Sequence, residues 1–289
     1  MSLDQTSQDE NTYIFDPESA QEMARLINQD RFFTQTMGGP LAELPTLPPE
    51  ANVLDLACGP GGWALDVAYE RPDVEVCGVD ISRIMVDYAN ARARSQQLFN
   101  VSFGVMDILQ PLDFAAASFD MINARLLYVA LKREAWPSLI AECKRLLRPG
   151  GILRLTEVDD FGITSSAAYE RFTVLNIEAL RLAGYGFSSS GRTFGMSLGL
   201  LRLCKEAGLE DLHVCSFVGD YSAATDGWAD FYHNGEIAVL QAKQFLIDSG
   251  RFSSEQFEQL YQQMLHEMLK EDFSALWHGT SVWGRIPAP

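Results

Sequence analysis

Paired cysteines, basic clusters, histidines and long apolar runs are all scarce in this sequence, and each scarcity removes a class of function. The five cysteines (Cys58, Cys77, Cys143, Cys204 and Cys215) are odd in number and none forms a CxxC pair. That pattern suits neither a disulfide frame nor a zinc site; no metal is expected, and a reducing, cytoplasmic compartment is. Lys and Arg total 22 against 39 Asp and Glu, a net charge of −17. A field of that sign repels phosphate backbones and anionic membranes, so the sequence predicts no nucleic-acid and no membrane partner. The strongest basic runs are Lys132-Arg133 and Lys144-Arg145 with Arg148, and the second falls in the last turn of a predicted helix, where cations suit the helix dipole. No apolar run approaches membrane-spanning length, and Met1-Ser2-Leu3-Asp4-Gln5 lacks the basic-then-apolar pattern of an export signal.

What remains is a chain of 289 residues with 47% apolar and 11% aromatic content, enough for a large α/β core with an appended cover. Residues 1–16 are polar. A helix is expected over 17–37, with Met23, Leu26, Ile27 and Phe33 on one side, stopped by Gly38-Gly39-Pro40. Short apolar strands then alternate with helical stretches: strands at 53–56, 74–79, 101–105, 119–123 and 152–158, helices at 62–71, after Ser82, and at 133–147. Such alternation implies parallel pairing, hence a doubly wound α/β sheet with its chemistry at the carboxyl ends of the strands. Beyond it, helices are expected at 166–183, 198–207, 226–247 and 254–277, with strands near 212–218 and 280–286. The division is therefore an N-terminal helical cover (1–49), a ligand-binding core (50–160) and a mostly helical cap (161–289) that returns two strands to the sheet.

The chemistry concentrates in Val53-Leu54-Asp55-Leu56-Ala57-Cys58-Gly59-Pro60-Gly61-Gly62-Trp63. An apolar strand carrying an acid breaks into a glycine-rich turn and restarts as a helix, which brings backbone N–H groups and a positive helix end to a ligand. Asp55, four residues before the first glycine, argues against a ligand that is only a phosphate and for one with both a cationic and a carboxylate end, as in S-adenosylmethionine. Asp80 closes the second strand about twenty residues on, where an acid can accept bonds from ribose hydroxyls. Asp107, after Met106, closes the third, where a carboxylate can accept from an adenine amino group. Arg148-Pro149-Gly150-Gly151 turns sharply into the fifth strand.

On these motifs the chain resembles the class I S-adenosylmethionine-dependent methyltransferases, in particular their small-molecule (type 11/25, ubiquinone-biosynthesis-like) branch, over roughly residues 50–160. The resemblance implies a Rossmann-like seven-stranded sheet whose last, antiparallel strand, at Ser281–Arg285, inserts beside the fifth. It implies S-adenosyl-L-methionine as cofactor and S-adenosyl-L-homocysteine as product. Asp55 and the backbone of Ala57, Cys58, Gly59 and Gly61 would hold the methionine moiety, with Asn123 and Ala124 beneath it. Asp80 would take the ribose, Ile81 would flank the adenine, and Met106, Asp107 and Ile108 would mark the adenine pocket. Arg31 and the turn at Gly38 would reach the cofactor as well. Ala57 stands where the family often has a glycine.

Each acid alone has a plainer reading, such as a helix cap, and the weight rests on their joint order. Gly59-Pro60-Gly61-Gly62-Trp63-Ala64 also satisfies the dinucleotide fingerprint of an NAD-type oxidoreductase, but Asp55 in the approach strand disfavours a pyrophosphate. The expected activity is methyl transfer to a small-molecule acceptor, on O, N or C. A non-methylating reaction, such as a decarboxylation or ring closure, or mere sensing of the cofactor, is the alternative. In-line displacement at a sulfonium methyl gains most from alignment and water exclusion, so no catalytic residue is obligatory. Glu157, Asp159 and His233 are the candidate bases; a lone histidine beside aromatics is more often a packed core residue. Tyr13 would fold over the ligand, and Tyr128, Tyr185, Phe187, Arg192 and Phe194 are the candidate acceptor walls. The Phe257–Leu269 stripe reads first as helix core, and otherwise as a lid face or the seam of a homodimer.

Overall fold

The first element is a helix over the sheet's carboxyl edge, α1 (Ala20–Thr36), capped by Ser19, whose hydroxyl accepts from the Gln21 N–H. The computed structural model describes residues 13–288, so the stretch read over 1–16 lies outside the described residues as far as Thr12. The alternating segment follows: β1 (Asn52–Leu56), α2 (Gly62–Glu70), β2 (Glu75–Asp80), α3 (Arg83–Ser95), β3 (Val101–Val105), β4 (Phe119–Arg125), α4 (Trp136–Leu146) and β5 (Leu147–Val158). Val53, Leu54 and Leu56 of β1 are all buried, because a central parallel strand has helices on both faces and takes apolar residues without alternation. β1 lies between β2 and β4, with Asp55 level with Gly78 on one side and Asn123 on the other.

The remaining elements are β6 (Ile163–Thr164), α5 (Ala167–Leu182), α6 (Met196–Glu206), β7 (Glu210–Asp220), α7 (Trp228–Gln241), α8 (Lys243–Asp248), α9 (Ser254–Met268) and β8 (Ala275–Arg285). The sheet runs β3-β2-β1-β4-β5-β8, with β7 on the far flank of β8. β8 is antiparallel to β5 from Ile152↔Arg285 to Val158↔Gly279, as expected for the last strand. The two-residue β6 pairs with the start of β8 and brings the sheet to eight strands where seven were expected.

Three expectations are corrected. The second C-terminal helix stops at Met268, not 277: Ala275, Trp277 and Gly279 are buried while Leu276 and His278 are exposed, the two-residue period of a strand. The stretch 226–247 is two helices, α7 and α8. On α1, Glu22, Arg25, Gln29 and Phe33 are buried, whereas Met23 and Ile27 are half-exposed. Helix α1 roofs a cavity and turns Arg25, Gln29 and Asp30 to its lining, so its inward face carries polar residues. The stripe on α9 is core: Phe257, Tyr261, Met264 and Met268 are buried, and Phe257 meets Phe172 of α5 edge-on at 5.4 Å between ring centroids.

Candidate functional site

The loop after β1 takes a succession of left-handed backbone turns, at Ala57 (φ 50°), Gly59 (φ 52°) and Gly61 (φ 77°). Ala57 therefore holds, with a side chain, a conformation that glycine adopts more easily. A Cβ on Gly61 would lie 2.7 Å from both Ala89 Cβ and the Phe103 ring, so this glycine lets α2 start close against α3 and β3. The loop is pinned to β2: the Cys58 N–H donates to the Val79 carbonyl at 2.9 Å and the Gly59 N–H to Asp80 Oδ2 at 2.8 Å.

Three carboxylates stand at or beside the carboxyl ends of three neighbouring strands, Asp55 within β1, Asp80 at the end of β2 and Asp107 just past β3. Asp55 is buried, accepts from Asn123 Nδ2 at 2.7 Å, and lies before a further buried relay in which Arg154 Nε donates to Asn123 Oδ1 at 2.8 Å and Arg154 Nη1 reaches Glu43 at 3.1 Å. Burial pushes the Asp55 carboxyl up to about 7, against the opposing pull of Arg125 and the Asn123 amide. Asp80 uses one oxygen for Gly59 and the other for the Ser82 N–H at 2.9 Å; burial raises its pKa, and these two N–H groups oppose the rise. The Ser82 hydroxyl donates to the Pro17 carbonyl at 3.0 Å, tying the N-terminal strap to this turn. Asp107 accepts the Leu109 N–H at 2.8 Å.

The opposite wall comes from α1 and from the turn after β4. Arg25 is buried and forked onto Glu22 (2.8 Å through Nε, 2.6 Å through Nη2), with Nη1 on Asn234 at 2.9 Å. Tyr13 donates to the same Glu22 carboxylate. Arg125 pairs with Asp30 and donates to Thr34 Oγ1 at 3.0 Å. After it, Leu126 takes a left-handed conformation (φ 59°), and Leu127–Val129 form a single 3-10 turn. Glu157 of β5 holds that turn from behind, accepting the N–H groups of Leu127 (2.7 Å) and Tyr128 (3.3 Å). Burial pushes Glu157 up to about 8 despite these donors.

Between the walls lies a cavity of about 190 Å³. The structure brings together on its lining Tyr13, Asp55, Ala57, Cys58, Gly59, Asp80, Ile81, Met106, Asp107, Ile108 and Tyr128. Other sequence-predicted residues are not on the lining. Gly61 is buried under the loop, and Asn123 and Ala124 are buried within β4. Arg31 points outward to Asp230 at 2.7 Å, and Gly38 packs toward Ala42. Glu157 is committed to its two N–H donors. Asp159 accepts from the Ser197 N–H at 3.3 Å, and His233 is exposed beside Glu236.

The loop carrying Tyr185, Phe187, Arg192 and Phe194 folds onto the cap, not into the cavity. Arg133 Nε donates to the Gly186 carbonyl at 2.6 Å, Phe187 fills the space over Gly199, and Arg192 is exposed. Phe194 backs Tyr128 at a ring separation of 4.8 Å, so the cap supports the wall without forming it. Sequence reasoning missed Arg25, Gln29, Asp30, Arg125 and Thr156, which all line the cavity. The available signal was the polar spacing Glu22, Arg25, Gln29 within an otherwise amphipathic helix.

A methyltransferase domain model matches residues 53–151, the β1-to-β5 segment that carries the three acids. Trans-aconitate 2-methyltransferase of Deinococcus radiodurans is 35% identical over 133 residues, which covers 44% of this chain and 47% of that protein. Geranyl diphosphate 2-C-methyltransferase of Saccharopolyspora erythraea is 36% identical over 126 residues, covering 43% and 39%. The chain thus spans about half the length, or less, of these curated relatives. The crystal structure of geranyl diphosphate C-methyltransferase from Streptomyces coelicolor A3(2) superposes with a TM-score of 0.51 at 15% identity, covering 94% of this chain and 86% of that one, which shows the shared fold. Residues 53–151 thus match a methyltransferase domain, and over that segment, with this sheet order and these acids at the strand ends, the chain is similar to S-adenosylmethionine-dependent methyltransferases.

Proposed function

We propose that the protein transfers a methyl group from S-adenosylmethionine to a small-molecule acceptor. The observation that carries this reading is the set of Asp55, Asp80 and Asp107, closing or lying within β1, β2 and the end of β3 and all lining one cavity. The wall fits the cofactor. Burial raises the Asp55 carboxyl to about 7, and a cationic amino-acid end is a partner that would favour its ionised form. Asp80 retains lone pairs for ribose hydroxyls after its two backbone bonds, and Ile81, Met106 and Ile108 supply apolar flanks for a base.

Bound there, the cofactor would supply an electrophilic methyl carbon whose transfer discharges the sulfonium. The chain's own residues position and enclose. Helix α1 covers the strand ends, and Ser82–Pro17 and the Ile14 N–H to the Val129 carbonyl (3.3 Å) hold the strap closed over the cavity. Enclosure excludes water from a reaction in which charge disperses. The five free cysteines support a cytoplasmic setting. No described helix is long and apolar enough to cross a membrane.

The test is calorimetric titration with S-adenosylhomocysteine, followed by incubation with methyl-labelled S-adenosylmethionine and a metabolite extract. Binding heat and label in a small product are expected. A folded protein that binds neither nucleoside sinks the proposal.

A further inference from the structure

Two polar groups on the cavity wall have no protein hydrogen-bond partner among the described residues: the Gln29 carboxamide and the Tyr128 hydroxyl. Gln29 is 8% exposed and Tyr128 5%. Both residues line the void and neither polar group is satisfied by the described residues, so each is available to a polar atom of a ligand there. Their position separates them from the three acids. Asp107 follows β3, Asp80 ends β2 and Asp55 lies near the end of β1, whereas Tyr128 follows β4, one strand further along the sheet. Gln29 sits on α1 between Arg25, one turn back, and Phe33, one turn on, and Phe33 touches Trp277 of β8 at 5.0 Å between ring centroids. Both groups therefore belong to the β4–β8 side of the cavity, beyond the amino-acid end of the proposed cofactor site.

The charges on that side are already matched. Arg25 and Arg125 are the cationic side chains among the described wall residues, and each is closed by a carboxylate, Glu22 and Asp30 respectively. Apart from Thr156, whose hydroxyl lies 2.8 Å from Ser281 Oγ, the rest of the wall there is apolar, from Phe33, Leu127, Val129 and Leu131. An anionic acceptor would have to break an ion pair to find a counter-charge, and would meet Asp30 and Asp55 in the same void.

We infer that Gln29 and Tyr128 orient the methyl acceptor, and that this acceptor is an uncharged, largely apolar molecule bearing a hydroxyl or carbonyl group. The inference rests on the methyltransferase reading of the same cavity. The Gln29 amide, with two donors and an acceptor, and the Tyr128 hydroxyl would bracket one oxygen of the acceptor and aim it across the methyl. The two ion pairs reject carboxylates and phosphates.

The test uses the full chain saturated with S-adenosylhomocysteine, whose affinity is measured first by calorimetry; absence of that heat faults the cofactor reading itself. Saturation-transfer NMR then follows p-cresol, 1-naphthol and acetophenone as neutral probes, and 4-hydroxybenzoate and 4-hydroxyphenyl phosphate as charged ones. Neutral probes should bind at least about tenfold more tightly than their charged counterparts. Gln29→Leu and Tyr128→Phe should each weaken the best neutral probe about fivefold, the loss expected for one hydrogen bond, with nucleoside affinity within about twofold of wild type. Equal or tighter binding of the charged probes, or no neutral binding at all, overturns the acceptor class. Unchanged probe binding in both variants, or a matching loss of nucleoside affinity, shows that these groups do not serve the acceptor.

Discussion

Glu157 accepts the backbone N–H of Leu127 at 2.7 Å, and through it the fifth strand fixes the turn that carries Tyr128 into the cavity. Burial raises the Glu157 pKa from its ordinary value to about 8. The folded state therefore favours the protonated acid. Its contribution is fully present below the unfolded pKa and is lost as pH rises through about 8. Glu157→Gln, a neutral near-isostere, should gain stability relative to wild type as pH is raised from about 5 to about 9, measured by denaturant unfolding at each pH. Parallel pH profiles for the two proteins would show that the acid is ionised in the fold.

Asp55 offers a ligand-linked counterpart. Its carboxyl, held at about 7 without a cation, must ionise to meet an ammonium group. Binding of S-adenosylhomocysteine should thus release a proton below that pH, and affinity should climb as pH approaches about 7 and level off above it. Calorimetry at about pH 6 in buffers of different ionisation enthalpy reads the proton directly. Asp55→Asn should remove the buffer dependence; a dependence that survives belongs to another group.

Gly61 and Gly150 share a φ of 77°, yet differ in surroundings. An added Cβ at Gly61 would meet Ala89 and Phe103, while at Gly150 it would meet nothing within 4 Å. Gly150→Ala should cost about 1–2 kcal/mol for the backbone conformation alone, and Gly61→Ala about 1–3 kcal/mol more for overpacking. Thermal unfolding of both variants settles it, and equal losses would mean that the α2–α3 contact yields freely.

Asp80 holds the N–H groups of Gly59 and Ser82, so Asp80→Ala should lower stability by about 1–3 kcal/mol even without cofactor, in addition to weakening its binding. A stable apo variant that binds poorly would mean that the carboxylate serves the ligand only.

Arg192 is exposed on a loop outside the cavity. Arg192→Ala should leave both nucleoside and acceptor affinity unchanged, against the expectation from its sequence context. A selective loss of acceptor affinity would bring that loop back to the site.

Local pattern was enough to read the core. Uninterrupted apolar strands such as Val53–Leu56, glycines at a forced turn and acids at strand ends are short-range features, because burial on both sheet faces and left-handed backbone leave their mark within a few residues. The order of the acids along the chain became their order across the sheet through parallel crossovers, which is why Asp55, Asp80 and Asp107 could be placed on one wall from spacing alone. The other wall had no such rule. Whether Arg25 and Arg125 are free cations or closed ion pairs depends on Glu22 and Asp30, and Asp30 meets Arg125 across 95 positions of sequence. Glu157, read as a base, is instead a clamp, because its partners are backbone groups thirty residues back, brought near by β4–β5 pairing. Local sequence determines which residues favour strand, turn or helix; tertiary packing alone decides which buried polar groups find partners and which are left facing the void.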